Sequence, residues 1–321
     1  MLTAFLLSYY IFQDPNVPEK PEPAPPPLLM RVLHPTLTGL EKGPEPRSRG
    51  WIKTQPILAG KWLQVRYHQV WEDETVEPHL MTQIMKQGEN NEIEAWQFDA
   101  KGDFSKWSGQ ISKRGMVLET LSKGVVVGRQ VYEWDQGGFH FRLLGPGKAE
   151  EKLVEWFHAH YQPTSAWEEP KLNPKFQTEV KEIPYSWYLG EFSGKELSVF
   201  GPTTAYMKTT LGPGPWFTSN YETKATGTMV FSGMGFVSAK KNGSYDLYWF
   251  ESSGGHQKMS GLLDNSGTAI VEMKNEKGQV IERHMDQRQD KNHYTFTIEQ
   301  LNLETQEWSP FMTGEYVRKT D

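Results

Sequence analysis

Residues 229–251 read MVFSGMGFVSAKKNGSYDLYWFE, and this stretch gives the clearest indication of the architecture. Two runs rich in apolar and aromatic residues flank Asn242-Gly243. Asn-Gly between such runs is the strongest short signal for a β-hairpin, because both residues tolerate the positive φ of a type I′ turn. The two glycines of the first run indicate a bulge or a close approach of two backbones. The stretch therefore predicts two antiparallel strands, at 229–238 and 244–251.

Turn-forming residues recur about every ten residues on both sides of this hairpin, which is typical of a meander of short strands. No long stretch shows the periodicity of an amphipathic helix. Because closure removes exposed strand edges, we expect a meander of about eight or more strands to close into a barrel. Further strands are predicted at 63–71, 79–87, 93–99, 105–111, 115–121, 125–134, 139–144 and 153–161, and at 257–263, 268–274, 279–288, 293–301 and 309–318.

An internal repeat doubles this pattern. Residues in the first half of the chain match residues 152 to 155 positions later, and a drift of that size is what changes in turn length produce. The matches are Trp62 with Trp216, Trp96 with Trp249, Ser108-Gly109 with Ser260-Gly261, Leu118-Glu119 with Val271-Glu272, Phe141 with Phe296 and Tyr161 with Tyr316. The sequence therefore predicts an all-β protein of two tandem antiparallel meander barrels, at 37–163 and 187–319.

The segments outside the two predicted barrels differ from them in composition. Met1–Phe12 is almost entirely apolar and has the length of the core of a secretory signal, but no Lys or Arg precedes that core and no small-x-small cleavage site follows it. A short apolar tail, or a start codon misplaced inside a longer signal, is the alternative. Pro15–Pro27 holds seven prolines and is typical of an extended spacer. We expect an apolar segment and a Pro-rich stalk over 1–36 and a linker over 164–186. Export to the periplasm, envelope or medium is predicted, with the cytoplasm left open.

Composition excludes several classes of protein. The net charge of -6 argues against a nucleic-acid-binding surface, which would be basic. Without cysteine there is no disulfide framework, no thiolate metal site and no cysteine nucleophile. No apolar stretch reaches the roughly 18–20 residues that a membrane-spanning helix needs.

The second copy resembles a known family. Its segments LGEFSG (189–194), GPGPWFTSNY (212–221), FSGMGF (231–236), YDLYWFES (245–252) and GEYVRK (314–319) resemble those of the bacterial domain-of-unknown-function family 1579, a calycin-like, lipocalin-related barrel family. The resemblance covers about 188–319. The first copy follows it only through the internal repeat, and Lys86-Gln87-Gly88 stands where a G-x-G-F strand is expected. The resemblance implies a calycin-like barrel and brings no established activity or catalytic residue.

Motifs for common chemistries are absent from the sequence. There is no H-E-x-x-H, no G-x-S-x-G and no phosphate-binding P-loop, so no catalytic residue and no cofactor is predicted. His158 and His160 lie two residues apart on a predicted strand and point to one face, so they could donate two imidazoles to a metal. The second copy has Thr313 and Glu315 at the matching places, and we therefore predict solvated histidines and no metal site.

The recurring aromatic residues point to the barrel interiors. A small barrel is either filled by side chains or holds one small ligand, so aromatic side chains serve a core or line a pocket. The leading hypothesis is a non-enzymatic binder of a small apolar or amphipathic ligand. The first alternative is a structural or interaction module with filled barrels. The second is a hydrolase or isomerase that acts at a barrel mouth around His256, which follows Ser252-Ser253. Candidate ligand-binding residues are Trp216, Tyr221, Trp249, His256, Trp62 and Trp96.

Overall fold

The computed structural model describes residues 27–33, 35–43, 47–72, 79–147, 152–167, 180–264 and 266–319. The predicted apolar segment and most of the predicted stalk, at 1–26, lie outside the described residues, as does the middle of the predicted linker, at 168–179. No helix within the described ranges has the length and apolar character needed to cross a membrane.

The first barrel contains ten strands. Each strand pairs antiparallel with its neighbours in the chain, and β1 pairs with both β2 and β10, which closes the barrel. The strands are β1 (Thr36–Lys42), β2 (Ser48–Ile57), β3 (Trp62–Trp71), β4 (His79–Gln87), β5 (Glu92–Asp99), β6 (Phe104–Ile111), β7 (Gly115–Ser122), β8 (Val125–Trp134), β9 (Phe139–Pro146) and β10 (Leu153–Pro163).

The second barrel repeats this arrangement with ten more strands. It closes in the same way, through pairing of β11 with both β12 and β20. The strands are β11 (Gly190–Ser198), β12 (Gly201–Leu211), β13 (Trp216–Ala225), β14 (Thr228–Ala239), β15 (Ser244–Glu251), β16 (His256–Leu263), β17 (Thr268–Lys274), β18 (Val280–Arg288), β19 (His293–Leu301) and β20 (Trp308–Arg318).

The predicted fold class is confirmed: the chain is all-β, with two closed antiparallel meander barrels in tandem. Each barrel has ten strands, because strands also form in segments that the sequence pattern hides. The glycines, prolines and charges of segment 39–49 are typical of a loop. In the structure, however, β1 continues to Lys42 and β2 begins at Ser48.

The hairpin at 240–243 forms, but its turn is not type I′. Gly243 has a φ of 84°, while Asn242 is not among the residues with positive φ. The Asn242 side chain is used instead, since its Oδ1 accepts hydrogen bonds from the Ser244 N–H at 3.1 Å and from the Ser244 hydroxyl at 2.8 Å. The expected hairpin is confirmed, and its expected turn type is wrong.

A short helical segment precedes each barrel and packs into its core. In the first barrel this is the α-helix Leu28–Val32, whose Leu29 is 1% exposed and joins the core cluster. In the second it is the pair of 3-10 helices Val180–Glu182 and Pro184–Tyr188, with Val180 and Tyr188 buried. The end of the predicted stalk is thus part of the first barrel's packing.

Candidate functional site

Each barrel encloses a cavity, and the two cavities differ in size. The cavity of the first barrel has a volume of about 340 Å³, and that of the second about 210 Å³. Apolar and aromatic side chains make up most of both walls, which is typical of pockets for small molecules. The polar groups in each wall therefore decide what a cavity can hold.

The first lumen contains a carboxylate that four side chains contact. Glu41, on β1, is 2% exposed. Its Oε1 accepts hydrogen bonds from the Tyr67 hydroxyl at 2.6 Å and from the Tyr161 hydroxyl. Its Oε2 accepts from the Ser48 hydroxyl at 2.7 Å and from the Gln69 amide at 2.6 Å. A buried acidic group needs partners of this kind, and here they come from β2, β3 and β10, on both sides of β1.

The second lumen repeats this cluster residue for residue. Glu196, on β11, is 3% exposed and accepts hydrogen bonds from the hydroxyls of Tyr221 at 2.8 Å and of Tyr316. Thr203 and Thr223 donate to its Oε2 at 3.0 and 3.3 Å. We name these two groups the seam carboxylate clusters: Glu41 with Ser48, Tyr67, Gln69 and Tyr161, and Glu196 with Thr203, Tyr221, Thr223 and Tyr316.

Burial keeps the tyrosines of both clusters protonated. Desolvation, followed by the charge of Glu41, raises the pKa of Tyr67 well above its ordinary value. Desolvation, followed by the neighbouring Tyr221 and Glu196, does the same to the pKa of Tyr316. These hydroxyls are therefore fixed donors to the carboxylates, and the clusters hold the barrel seams together.

The middle of the first lumen is lined by amides. The Gln83 amide nitrogen donates to Gln97 Oε1 at 2.8 Å and to Gln130 Oε1 at 3.3 Å, and the Tyr132 hydroxyl donates to Gln130 Oε1 at 2.9 Å. Gln83 is 0% exposed and lines the cavity. Its own oxygen has no hydrogen-bond donor among the described residues. A buried acceptor without a partner costs about 1–3 kcal/mol, so a donor from the cavity would be favoured here once the Gln83 side chain turns its oxygen toward the lumen.

No lysine or arginine is among the described residues that line the first cavity. Its one basic side chain is His79, and burial lowers the pKa of that imidazole below its ordinary value. The wall therefore offers no fixed positive charge to an anionic ligand.

The second lumen has different residues at the matching places. Strand register puts Gly235, Trp249 and His284 where the first barrel has Gln83, Gln97 and Gln130. The Trp249 indole occupies this space, and glycine is required beside it, since a Cβ on Gly233 would lie 2.1 Å from Trp249 Cζ2. Trp249 is one reason why the second cavity is smaller.

Acidic groups line the second cavity. His284 Nε2 lies 2.6 Å from Glu282 Oε1, and the Gln300 amide donates to Glu282 Oε2 at 2.9 Å. Desolvation raises the pKa of Glu251 above its usual value. Desolvation also raises the pKa of Asp286 to about 6, against a hydrogen bond from Tyr188 that lowers it. Asp286 is only half-buried by area, but its free surface faces the enclosed cavity.

One correspondence in the sequence repeat is wrong by a single residue. Glu94 pairs with Ser108 and Asp246 pairs with Ser260, so Trp96 corresponds to Tyr248 and not to Trp249. Successive side chains on a strand point to opposite faces, so a slip of one residue moves the side chain to the other side of the sheet. Trp249 faces the lumen, whereas Trp96 and Tyr248 face outward.

Three of the six candidate ligand-binding residues lie between the barrels instead of on a cavity wall. The Trp62 indole donates to the Glu251 carbonyl at 2.7 Å, and the Trp216 indole donates to the Asp99 carbonyl at 3.0 Å. The two tryptophans correspond in the repeat, so the contact is reciprocal. The buried set, which we name the inter-barrel cluster, is Trp62, Ile84, Trp96, Phe98, Trp216, Met234, Phe236, Tyr248 and Phe250.

The other three candidates are divided between the two places. Tyr221 and Trp249 line the second cavity. The His256 ring lies 4.4 Å from the Trp96 ring, beside the inter-barrel cluster, and burial lowers the pKa of the imidazole. The neighbouring serines have other partners, since the Ser252 hydroxyl accepts from the Ser232 N–H and the Ser253 hydroxyl donates to Glu251. This geometry gives no support to a Ser–His pair.

The fold and the two lumens define a tandem β-barrel protein. No family model matches the chain, and no curated protein matches it.

Three solved structures resemble the chain at low identity. The Rv2717c protein of M. tuberculosis covers 47% of this chain over 100% of its own, at 14% identity and a TM-score of 0.36. The match to a redesigned β-barrel covers 43% of this chain and 96% of that protein, at 12% identity and a TM-score of 0.26. The match to a protein of unknown function from the DUF3598 family of Nostoc punctiforme PCC 73102 covers 88% of this chain and 95% of that protein, at 10% identity and a TM-score of 0.29. Likenesses of this size carry no argument about function.

Proposed function

We propose that the protein binds a small amphipathic ligand in the lumen of the first barrel and is not an enzyme. One observation carries the proposal: an apolar cavity of about 340 Å³ is lined in part by Gln83, whose fully buried oxygen lacks a donor among the described residues. A structural module with filled barrels would not leave this space.

The wall also indicates the polar end of the ligand. The free Gln83 oxygen accepts a hydrogen bond, so a ligand with an O–H or N–H group satisfies it. A carboxylate has no proton to donate at neutral pH, and it would enter a lumen that holds Glu41 and has no described cation in its wall. The proposed ligand is therefore a neutral alcohol or amide with an apolar body.

A matched set of ligands tests this function. Octanol, octyl methyl ether and octanoate have apolar chains of similar length and differ in the polar end. We expect octanol to quench or shift the tryptophan fluorescence of the chain, to which Trp107 in the cavity wall contributes. We also expect it to bind about fivefold more tightly than the ether, because one neutral hydrogen bond is worth about 1 kcal/mol. Octanoate is expected to bind most weakly. Failure of all three to bind would sink the proposal.

Two variants separate the polar contact from the cavity itself. Gln83→Leu removes the free oxygen, so we expect octanol to lose its advantage while the ether still binds. Gln110→Leu places the same change on an exposed residue of β6 and is expected to leave both affinities unchanged. An octanol preference that survives Gln83→Leu would contradict the assigned contact but not the cavity.

We further propose that the chain is exported and that it belongs to domain-of-unknown-function family 1579. The apolar Met1–Phe12 segment and the Pro-rich run after it support export. The residue patterns at 189–194, 212–221 and 231–236 support the family.

A further inference from the structure

We propose that Asp135, His140 and His160 bind a divalent transition-metal ion on the outer face of the first barrel. His140 on β9 and His160 on β10 are direct partners in the strand register. Their neighbours Phe139 and Tyr161 face the core, so both imidazoles face outward. The two rings stack, with centroids 4.2 Å apart and planes 12° from parallel.

The third group lies where both rings point. Asp135 Oδ2 is 2.5 Å from His160 Nε2 and 3.7 Å from His140 Nε2. All three atoms lie within 4.8 Å of one another. A metal ion sits about 2.0–2.1 Å from an imidazole nitrogen and about 2.0–2.2 Å from a carboxylate oxygen, so one ion between these atoms requires the two stacked rings to rotate until their nitrogen lone pairs converge on it.

The carboxylate is held in place by the backbone. Asp135 Oδ1 accepts a hydrogen bond from the Gly138 N–H at 3.0 Å, and the Asp135 N–H bonds the Gly138 carbonyl at 3.2 Å. Gly137 between them has a φ of 89°, which suits glycine. This turn fixes one carboxylate oxygen and leaves the other directed at the histidines, as outer contacts do in metal sites.

The donor set selects the metal. Two imidazole nitrogens and one carboxylate oxygen suit Zn²⁺, Ni²⁺ or Cu²⁺, whereas Ca²⁺ and Mg²⁺ prefer oxygen ligands. His140 and His160 border an open groove that also holds His158, so water can complete the coordination. Among its described residues the second barrel has no equivalent, because Gln289 donates to Thr295 at 3.2 Å and Glu315 stands opposite Thr295.

Calorimetric titration of the full chain with zinc chloride, after treatment with a chelator, tests the site. We expect one zinc ion per chain, at an affinity that a tenfold excess of calcium does not change. His140→Thr, which copies the second barrel, His160→Gln and Asp135→Asn are each expected to lower the affinity at least about tenfold. All three residues are at the surface, and circular dichroism checks that the variants fold.

His158→Gln is the matched control. His158 lies two residues from His160 on the same strand face and instead contacts Glu155 at 2.8 Å, so we expect zinc binding to be unchanged. Zinc is also expected to raise the Tm of the wild type and not that of His140→Thr. Wild-type binding no tighter than that of His140→Thr, or an equal loss in His158→Gln, would overturn the site.

Discussion

At the scale of single residues, the buried carboxyl groups of the two barrels differ in their hydrogen-bond partners and in pKa. Glu41 and Glu196 have full sets of donors and hold the barrel seams, whereas Asp286 has a raised pKa and one tyrosine partner. The sequence did not predict the seam clusters, because a glutamate among charged residues on a strand reads as exposed. The repeated Tyr161 and Tyr316 were the available signal, and their partners became visible only when the strands closed.

Asp286 makes stability depend on pH. Burial raises its pKa to about 6, above the 3.8 of an ordinary aspartate, so between about pH 4 and 6 the folded protein holds a proton that the unfolded chain has lost. The contribution of Asp286 therefore falls as pH rises through this window. Asp286→Asn cannot ionise and still accepts from Tyr188, so we expect it to be more stable at pH 7, on the order of 2 kcal/mol after allowance for water in the cavity.

Urea unfolding from pH 4 to 7 measures this effect. The wild type is expected to lose stability relative to Asp286→Asn across the window. Asp264→Asn is the control, because hydrogen bonds to Ser266 lower the pKa of that exposed carboxyl and move its titration below the window. Parallel curves for the wild type and Asp286→Asn would show that this carboxyl does not titrate as described.

At the scale of strands, the sequence predicted where most strands lie but not which face of the sheet each side chain occupies. The period of turns located the strands from β3 to β10 and from β14 to β20. A slip of one residue in matching Trp96 to Trp249 nevertheless assigned both indoles to one face, since the alternation along a strand has a period of two. Because Tyr248 and Trp249 are successive aromatic residues, either one matches Trp96, and the sequence alone does not distinguish them.

Gly233, on the strand next to Trp249, leaves the space that the Trp249 indole occupies. Gly233→Ala puts a methyl group into the space of the indole, and we expect it to cost about 1–3 kcal/mol, as overpacking does. In a Trp249→Leu background the indole is gone, so the same change is expected to cost much less. Chemical unfolding of the four proteins gives the coupling between the two residues. Equal costs in both backgrounds would contradict a contact between Gly233 and Trp249.

At the scale of the whole molecule, the duplication produces two barrels with a cavity each and also a buried contact between the barrels. The outer faces of β4, β5, β14 and β15 carry most of the inter-barrel cluster, and each barrel covers the apolar side chains of the other there. Phe98 and Phe236 stack at 4.2 Å in the middle of the inter-barrel cluster. The sequence pattern predicted these aromatic residues only as lining or core, because their real neighbours are more than 100 positions away in the chain.

The reciprocal indole hydrogen bonds predict coupled unfolding of the two barrels. Trp62→Phe and Trp216→Phe each remove one inter-barrel donor and part of a buried ring, at an expected cost of about 1–2 kcal/mol each. In calorimetry we expect one transition for the wild type and two for the double variant, because each barrel retains its own core. Trp308→Phe, on the strand β20 and far from this contact, is expected to lower Tm without splitting the transition. A single transition in the double variant at the Tm of this control would mean that the indole bonds do not couple the barrels.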